Sequence, residues 1–371
     1  MDRRIDPWGS EGVKDYDRLV KDFGIEPIQG MVKKVPDNLL FRRGAVFGHQ
    51  DFGRIADSIK QKKDYVMLTG LMPSGKFHIG HKMLAEQMIY YQQNRGKVFI
   101  CVADVEAYNM RKASLKDLRA TAIEEYLTNY IALGLKPKGC DFYFQSSRSG
   151  DAGKANAYHR LAAMASRKTT TNEMKAIYGE VTPGKIMSVM HQVADILHPQ
   201  LKEFGGERPV VVPVGVDQSP HIRFCRGIAS RFTKSSEYDF IPPSATYHKF
   251  MKGLKGGKMS SSDPYSFIAL TDSPKVAGEK IMKHAFSGGQ GSVKEHRKKG
   301  GNPDIDVAYQ MLYFGFEEND RKIKKIHDDY RSGKLLTGEL KQILIEKMSK
   351  FLVSHQQKME KARGKVGDFL G

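Results

Sequence analysis

Short apolar runs alternating with helix-length amphipathic stretches leave this chain few ways to fold. Residues 64–70 (DYVMLTG) read as a buried strand, as do 98–103 (VFICVA), 141–145 and 209–216. Between them lie segments of helical spacing. Among these are 79–94 (IGHKMLAEQMIYYQQN), with Met83, Met88 and Ile89 available for packing, and the stretches 115–133 and 185–197. A strand without a polar face must be covered on both sides, and strands separated by helices pair in parallel. The pattern predicts an α/β domain built on a parallel sheet. The segment before it is irregular and charged.

Beyond about residue 265 the strand pattern stops. Ser273-Pro274 and Asn302-Pro303 each set a capping side chain before a proline, which is how many helices start. Leu336, Leu340, Ile343, Leu344, Met348, Phe351 and Leu352 recur at helical spacing. An all-helical region after the sheet is expected.

Charge narrows the choice of partner. The chain carries 60 Lys+Arg against 42 Asp+Glu, a net +18, which favours a polyanion, nucleic acid before a membrane surface. A hydrophobic content of 40% excludes a largely disordered chain. Cys101, Cys140 and Cys225 form no CxxC pair, which argues against a disulfide framework, a structural zinc or a four-cysteine iron–sulfur cluster. No run approaches roughly eighteen apolar residues, so no membrane span is expected. The acidic start (Asp2, Asp6, Glu11, Asp15, Asp17) is unlike a secretory signal. A soluble cytoplasmic protein is expected.

Two loops carry the chemistry. Pro73, Ser74 and Gly75 leave the end of a strand and lead through His78-Ile79-Gly80-His81 into a helix. Strand ends and helix N-termini are where phosphates bind, and glycines let backbone and ligand approach closely. His78 and His81 are placed to donate hydrogen bonds to a reacting phosphate. The second loop is Gly256-Gly257-Lys258-Met259-Ser260-Ser261-Ser262. Glycines before a lysine make a mobile cation that can meet charge as it develops, and the serines add donors. Taken singly, these are an ordinary helix start and a glycine-rich linker.

As an ordered pair, 180 residues apart around an α/β core, HIGH and KMSSS resemble the ATP-holding signatures of class I aminoacyl-tRNA synthetases. Further clusters resemble the tryptophanyl branch of archaeal and eukaryotic kind: Asp6-Pro7-Trp8, Asp15-Tyr16-Asp17 with Phe23-Gly24, Phe41-Arg42-Arg43-Gly44, Lys283 to Gly289, Glu295-His296-Arg297, Gly300-Gly301-Asn302 and Leu336 to Lys341. The resemblance covers nearly the whole chain. It implies an N-terminal extension over 1–55 and a Rossmann-type catalytic domain over 56–265 with a connective insertion at about 112–190. A helical anticodon-binding domain over 266–371 and a homodimer follow from it too. Substrates would be ATP, tryptophan and tRNA(Trp). Magnesium would arrive with the nucleotide, since no carboxylate cluster marks a protein-held metal. The ATP site would comprise Pro73, Ser74, Gly75, His78, Gly80, His81, Asp217, Lys258, Met259, Ser260, Ser261 and Ser262, with His78, His81 and Lys258 catalytic.

The amino-acid pocket sets the substrate. An indole needs a flat apolar slot and an acceptor for its N–H. Polar residues near strand ends are Glu106, Gln192, Asp195 and Gln218, and Gln192 and Asp195 share a helix face. In the resemblance Glu106, Gln192 and Gln218 fall on tryptophan-contacting positions. Leu68 stands where eukaryotic-type enzymes have tyrosine, Cys101 where they have glutamine, and Asp195 where they have proline. Asp195 matches instead the aspartate that reads the indole in bacterial tryptophanyl enzymes, or the phenol in tyrosyl ones. Leu68 removes the tyrosine that pairs with that aspartate in tyrosyl enzymes. Tryptophan is therefore expected, with Asp195 as preferred acceptor. The alternatives are a tyrosyl enzyme, a non-synthetase nucleotidyltransferase and a plain RNA-binding module.

Overall fold

The computed structural model describes residues 24–110, 113–259 and 263–370. Seven strands form one sheet: β1 (Glu26–Pro27), β2 (Val46–Gln50), β3 (Val66–Leu71), β4 (Lys97–Val102), β5 (Cys140–Phe144), β6 (Val210–Gly215) and β7 (Ser244–His248). Their order is β1-β2-β7-β6-β3-β4-β5. From β7 to β5 all pairs are parallel, while β2 joins β7, and β1 joins β2, antiparallel. The chain runs outward from β3 to β5 on one side, then returns to start β6 on the other. The crevice at the C-terminal ends of β3 and β6 is thus the point where open α/β sheets bind ligands.

The pleat divides the sheet residues between two cores. Met67, Val98, Ile100, Val102, Phe142, Phe144 and Val211 face one hydrophobic cluster, with helix Ile79–Gln93. Val66, Leu68, Phe99, Cys101, Tyr143, Val210 and Val212 face the other. Helices Ala152–Ala165, Pro183–Leu197 and Ser219–Lys234 cover that second face. Alternation of this kind is what a strand buried on both faces requires.

The four strands expected from apolar runs are present, shifted by one or two residues. Two boundaries need correction. Residues 46–50, within the supposed 1–55 extension, supply β2, whose antiparallel pairing extends the sheet. The supposed insertion at 112–190 contains β5, which pairs with β4 from Val98–Cys140 to Val102–Phe144 and belongs to the core sheet. The helix expected over 115–133 runs as Leu115–Thr121, a π-helical Ala122–Leu127 and Thr128–Leu133.

After β7 no further strand occurs among the described residues. Helices follow at Pro274–His284, Val293–Lys299, Val307–Met311, Asp320–Arg331 and Thr337–Arg363. Ser273 caps the first by accepting the Val276 N–H at 3.3 Å. Asn302-Pro303 does not start a helix. Its side chain accepts the Asp304 N–H in a tight turn, and the helix begins at Val307, where Asp306 accepts the Ala308 and Tyr309 N–H groups. A carboxylate reaching two N–H groups is the better cap.

Leu340, Leu344, Met348 and Leu352 are fully buried and share one cluster with Phe77, Ile79 and Met83 of the sheet domain. Hydrophobic packing is therefore continuous across residue 265. Gln356 donates to the Leu270 and Asp272 carbonyls at 3.0 and 2.9 Å, and His355 meets Asn129 at 2.7 Å. Arg43, 7% exposed, donates to Asp320 and to the carbonyls of Tyr313, Glu317 and Glu318. The Phe41–Gly44 motif thereby anchors the helical region to the sheet. The clusters at 6–8 and 15–17 and Phe23 lie outside the described residues.

Candidate active site

Beyond β3 the chain passes Pro73, Ser74 and Gly75, whose φ of +66° suits glycine. The π-helical segment holds this loop. Tyr126 donates to the Ser74 carbonyl at 3.0 Å, while Glu125 pairs with Lys76 and accepts the Phe77 N–H. His78 is the N-cap of helix Ile79–Gln93, with extended φ and ψ of −126° and 172°. Its Nδ1 accepts the Gly80 N–H, and His81 Nδ1 accepts the His78 N–H, both at 3.1 Å. With each Nδ1 an acceptor, the ring proton sits on Nε2, so each neutral imidazole remains a donor. Burial pushes the His78 ring down to about 4 and His81 well below the usual 6.5. A Cβ at Gly80 would lie 3.0 Å from the His78 ring and 3.2 Å from Met259 Sδ, so glycine permits this close packing.

Lys258 lines the crevice. Its Nζ lies 3.7 Å from Asp217 Oδ2 and 5.0 Å from the Phe250 ring centroid, with the side chain 34% exposed. Asp217 follows β6 in the turn Val216–Gln218. Burial pushes its carboxyl up, and Lys258 opposes that shift. Met259 packs beneath Gly80; Ser260, Ser261 and Ser262 lie outside the described residues.

A cavity of about 510 Å³ occupies the switch point. Leu68, Glu106, Gln192, Asp195, Gln218, Asp217 and Lys258 all line it. His78, His81, Pro73, Ser74, Gly75, Gly80 and Met259 are not part of its wall. The crevice thus brings the expected amino-acid residues and the lysine together, with the histidine turn beside them.

At the far end, Gln192 donates its amide to both Glu106 oxygens at 2.9 Å. Asp195 is 4% exposed, on the same helix as Gln192. Tyr143 and Tyr158 donate to its Oδ1 at 2.9 and 2.8 Å, and Gln145 to its Oδ2 at 2.8 Å. These three partners escape a motif search because they lie 37 to 52 residues from Asp195. Strand parity offered a signal: alternation places Tyr143 on the sheet face that carries Leu68 and Cys101.

A strand-end cavity lined by a lysine that follows two glycines, together with a helix capped by a histidine, has the form of a class I aminoacyl-tRNA synthetase. Residues 60–353 match the family of tRNA synthetases class I (W and Y). The chain is 46% identical to a tryptophan–tRNA ligase from Aeropyrum pernix, over 97% of this chain and 96% of that one. A tryptophan–tRNA ligase from Methanocaldococcus jannaschii is 42% identical over the same shares. The crystal structure of the Aeropyrum pernix tryptophanyl-tRNA synthetase matches with a TM-score of 0.90 at 45% identity, covering 98% of each chain. That from Plasmodium falciparum gives 0.84 at 28% identity, covering 96% of this chain and 95% of that one. The chain belongs to this family, among its tryptophanyl members.

Proposed function

We propose that the chain activates L-tryptophan with ATP and transfers it to the 3′ end of tRNA(Trp). The observation that carries this is a single cavity joining Lys258 and Asp217 to Glu106, Gln192 and Asp195. In the first step a tryptophan carboxylate oxygen attacks the α-phosphorus of ATP. The bond from that phosphorus to the bridging oxygen breaks, and pyrophosphate leaves. Lys258, relaxing from Asp217, meets charge on the phosphates, while the Nε2–H groups of His78 and His81 donate from the flank. Such donors act chiefly by stabilising developing charge and fixing geometry. In the second step a terminal ribose hydroxyl of the tRNA attacks the activated carbonyl, and AMP departs.

Tryptophan brings one cation and one neutral donor, and the cavity has two carboxylates at its amino-acid end. Glu106, a buried carboxylate that accepts from the Gln192 amide, suits the ammonium. Asp195 suits the indole N–H. Leu68 and Ile196 give the ring an apolar wall. Among the described residues no three ligating side chains converge on a metal site. Magnesium would accompany ATP as its counter-ion.

The helical region would bind tRNA. Arg297, Lys298 and Lys299 end one helix, and Arg321, Lys322, Lys324 and Lys325 lie along another. A homodimer is supported by Tyr108, Met110 and Met187, which are exposed on the adjoining helices Asp104–Met110 and Pro183–Leu197. Among the described residues no helix is long and apolar enough to cross a membrane, and a cytoplasmic enzyme is proposed. Charging of a tRNA(Trp) transcript with labelled tryptophan tests the whole reaction. Affinity for that transcript should fall steeply as salt rises; absence of charging would refute the proposal.

A further inference from the structure

Asp195 is buried at the end of the amino-acid cavity, yet two of its hydrogen bonds come from residues outside the cavity wall. Tyr143 and Tyr158, 3% and 0% exposed, both donate to Oδ1 and do not line the cavity. Two donors fill the lone pairs of one carboxylate oxygen. Gln145 lines the cavity and is the one N–H or O–H donor to Oδ2 among the described side chains, against two on Oδ1. The Cys101 thiol, a weaker donor, also faces the carboxylate.

We infer that Tyr143, Tyr158 and Gln145 are positioning residues for the indole, holding Asp195 ionised and turned so that an Oδ2 lone pair meets the substrate N–H. The inference rests on tryptophan being the substrate. A carboxylate this deeply buried is driven towards its neutral form, and the three hydrogen bonds oppose that drive. A carboxyl that took up a proton, or rotated, would present the indole with a weaker or misdirected acceptor. Indole N–H is a donor only, so a fixed anionic acceptor matches it.

The three residues are themselves held. Gln145 cannot turn its amide around, because its Oε1 accepts the Glu106 backbone N–H at 3.2 Å. The same side chain therefore ties the indole end of the cavity to the residue proposed for the ammonium. Tyr143 lies under the Arg148 guanidinium, 3.9 Å from its ring centroid. Arg148 is fixed by Asp141 at 2.7 Å and by His198 Nε2 at 2.9 Å. His198 Nδ1 in turn donates to the Ala194 and Asp195 carbonyls at 2.9 Å, on the helix that carries the carboxylate. Tyr158 reaches Asp195 from helix Ala152–Ala165. Strand, helix and loop thus converge on one rotamer of one side chain.

The test compares tryptophan with its benzothiophene analogue, in which sulfur replaces the N–H, in ATP–pyrophosphate exchange. The full-length wild-type protein should prefer tryptophan by roughly tenfold to a hundredfold in kcat/KM, the range expected for one buried polar pair. With both Tyr143→Phe and Tyr158→Phe in place, the preference should shrink to about threefold or less. The loss should fall on the tryptophan KM, while the ATP KM stays put. A role confined to packing would slow both substrates alike and leave the preference unchanged; that result overturns the inference. If the double variant does not fold, Tyr158→Phe and Gln145→Leu taken singly should each narrow the preference, and an unchanged preference in both overturns it. If the wild-type protein exchanges with tyrosine and not tryptophan, the substrate assignment fails first, and this inference with it.

Discussion

His78 and His81 stack with ring centroids 3.7 Å apart, and each turns its Nδ1 to a backbone N–H of the same helix start. A proton on either Nδ1 would break that bond, and protons on both would set two cations against each other. The pair therefore works as neutral donors through Nε2.

A pH dependence follows. His78 titrates at about 4 in the folded chain, against 6.5 ordinarily. His248 and His355 are likewise held near 4 by burial. As pH falls, the unfolded chain takes up these protons first, so stability present above about 6.5 is lost as pH drops through about 4. His78 alone accounts for roughly 3 kcal/mol of that loss. Calorimetry should find Tm level between about pH 7 and 8 and falling steeply below about 6. In exchange assays kcat should show no imidazole titration at about 6.5; such a limb would mean that one histidine acts as a cation.

Changing Lys258 to Ala should slow adenylate formation by at least tenfold, with kcat lowered more than the ATP KM is raised. One charged transition-state contact is worth about 2–4 kcal/mol. The variant should fold normally, since the lysine is part-exposed and its contact with Asp217 is a long 3.7 Å. Exchange at the wild-type rate would remove the lysine from the mechanism.

Asp195→Ala should raise the tryptophan KM and lower kcat/KM by an amount equivalent to about 1–3 kcal/mol, leaving the ATP KM unchanged. It also strands three buried donors, so a fall in Tm should accompany it. Glu106→Gln should weaken tryptophan through loss of charge opposite the ammonium. If Asp195→Ala keeps wild-type kcat/KM, the indole N–H belongs to Glu106 instead.

The sheet and the two signature loops are legible because each rests on local pattern. Apolar runs mark strands, and HIGH and KMSSS are contiguous. β2 and β7 escaped notice because Val46–Gln50 and Ser244–His248 are five residues each and mix His, Gln, Ser and Thr with apolar residues. Their membership in the sheet comes from pairing nearly two hundred residues apart. The cage around Asp195 was hidden for the same reason. Tyr143 looks like any aromatic strand residue until the fold sets it against a carboxylate from another helix.

Removing residues 266 to 371 should abolish exchange along with charging. Ile268 accepts the Ile79 N–H at 3.1 Å, and Leu270 donates to the Phe77 carbonyl at 3.0 Å, so this segment brackets His78. Gln356 of the last long helix then holds the Leu270 carbonyl. Circular dichroism and exchange on the truncated chain check this. A folded fragment with wild-type exchange would show the helical region to be dispensable for the first step.

ATP–pyrophosphate exchange measured in parallel with tryptophan and tyrosine shows whether this cavity activates tryptophan. Exchange is expected with tryptophan, at a kcat/KM at least a hundredfold above that for tyrosine, roughly what two mismatched polar contacts in a buried pocket would give. Preferential exchange with tyrosine, or none with either amino acid, would contradict it.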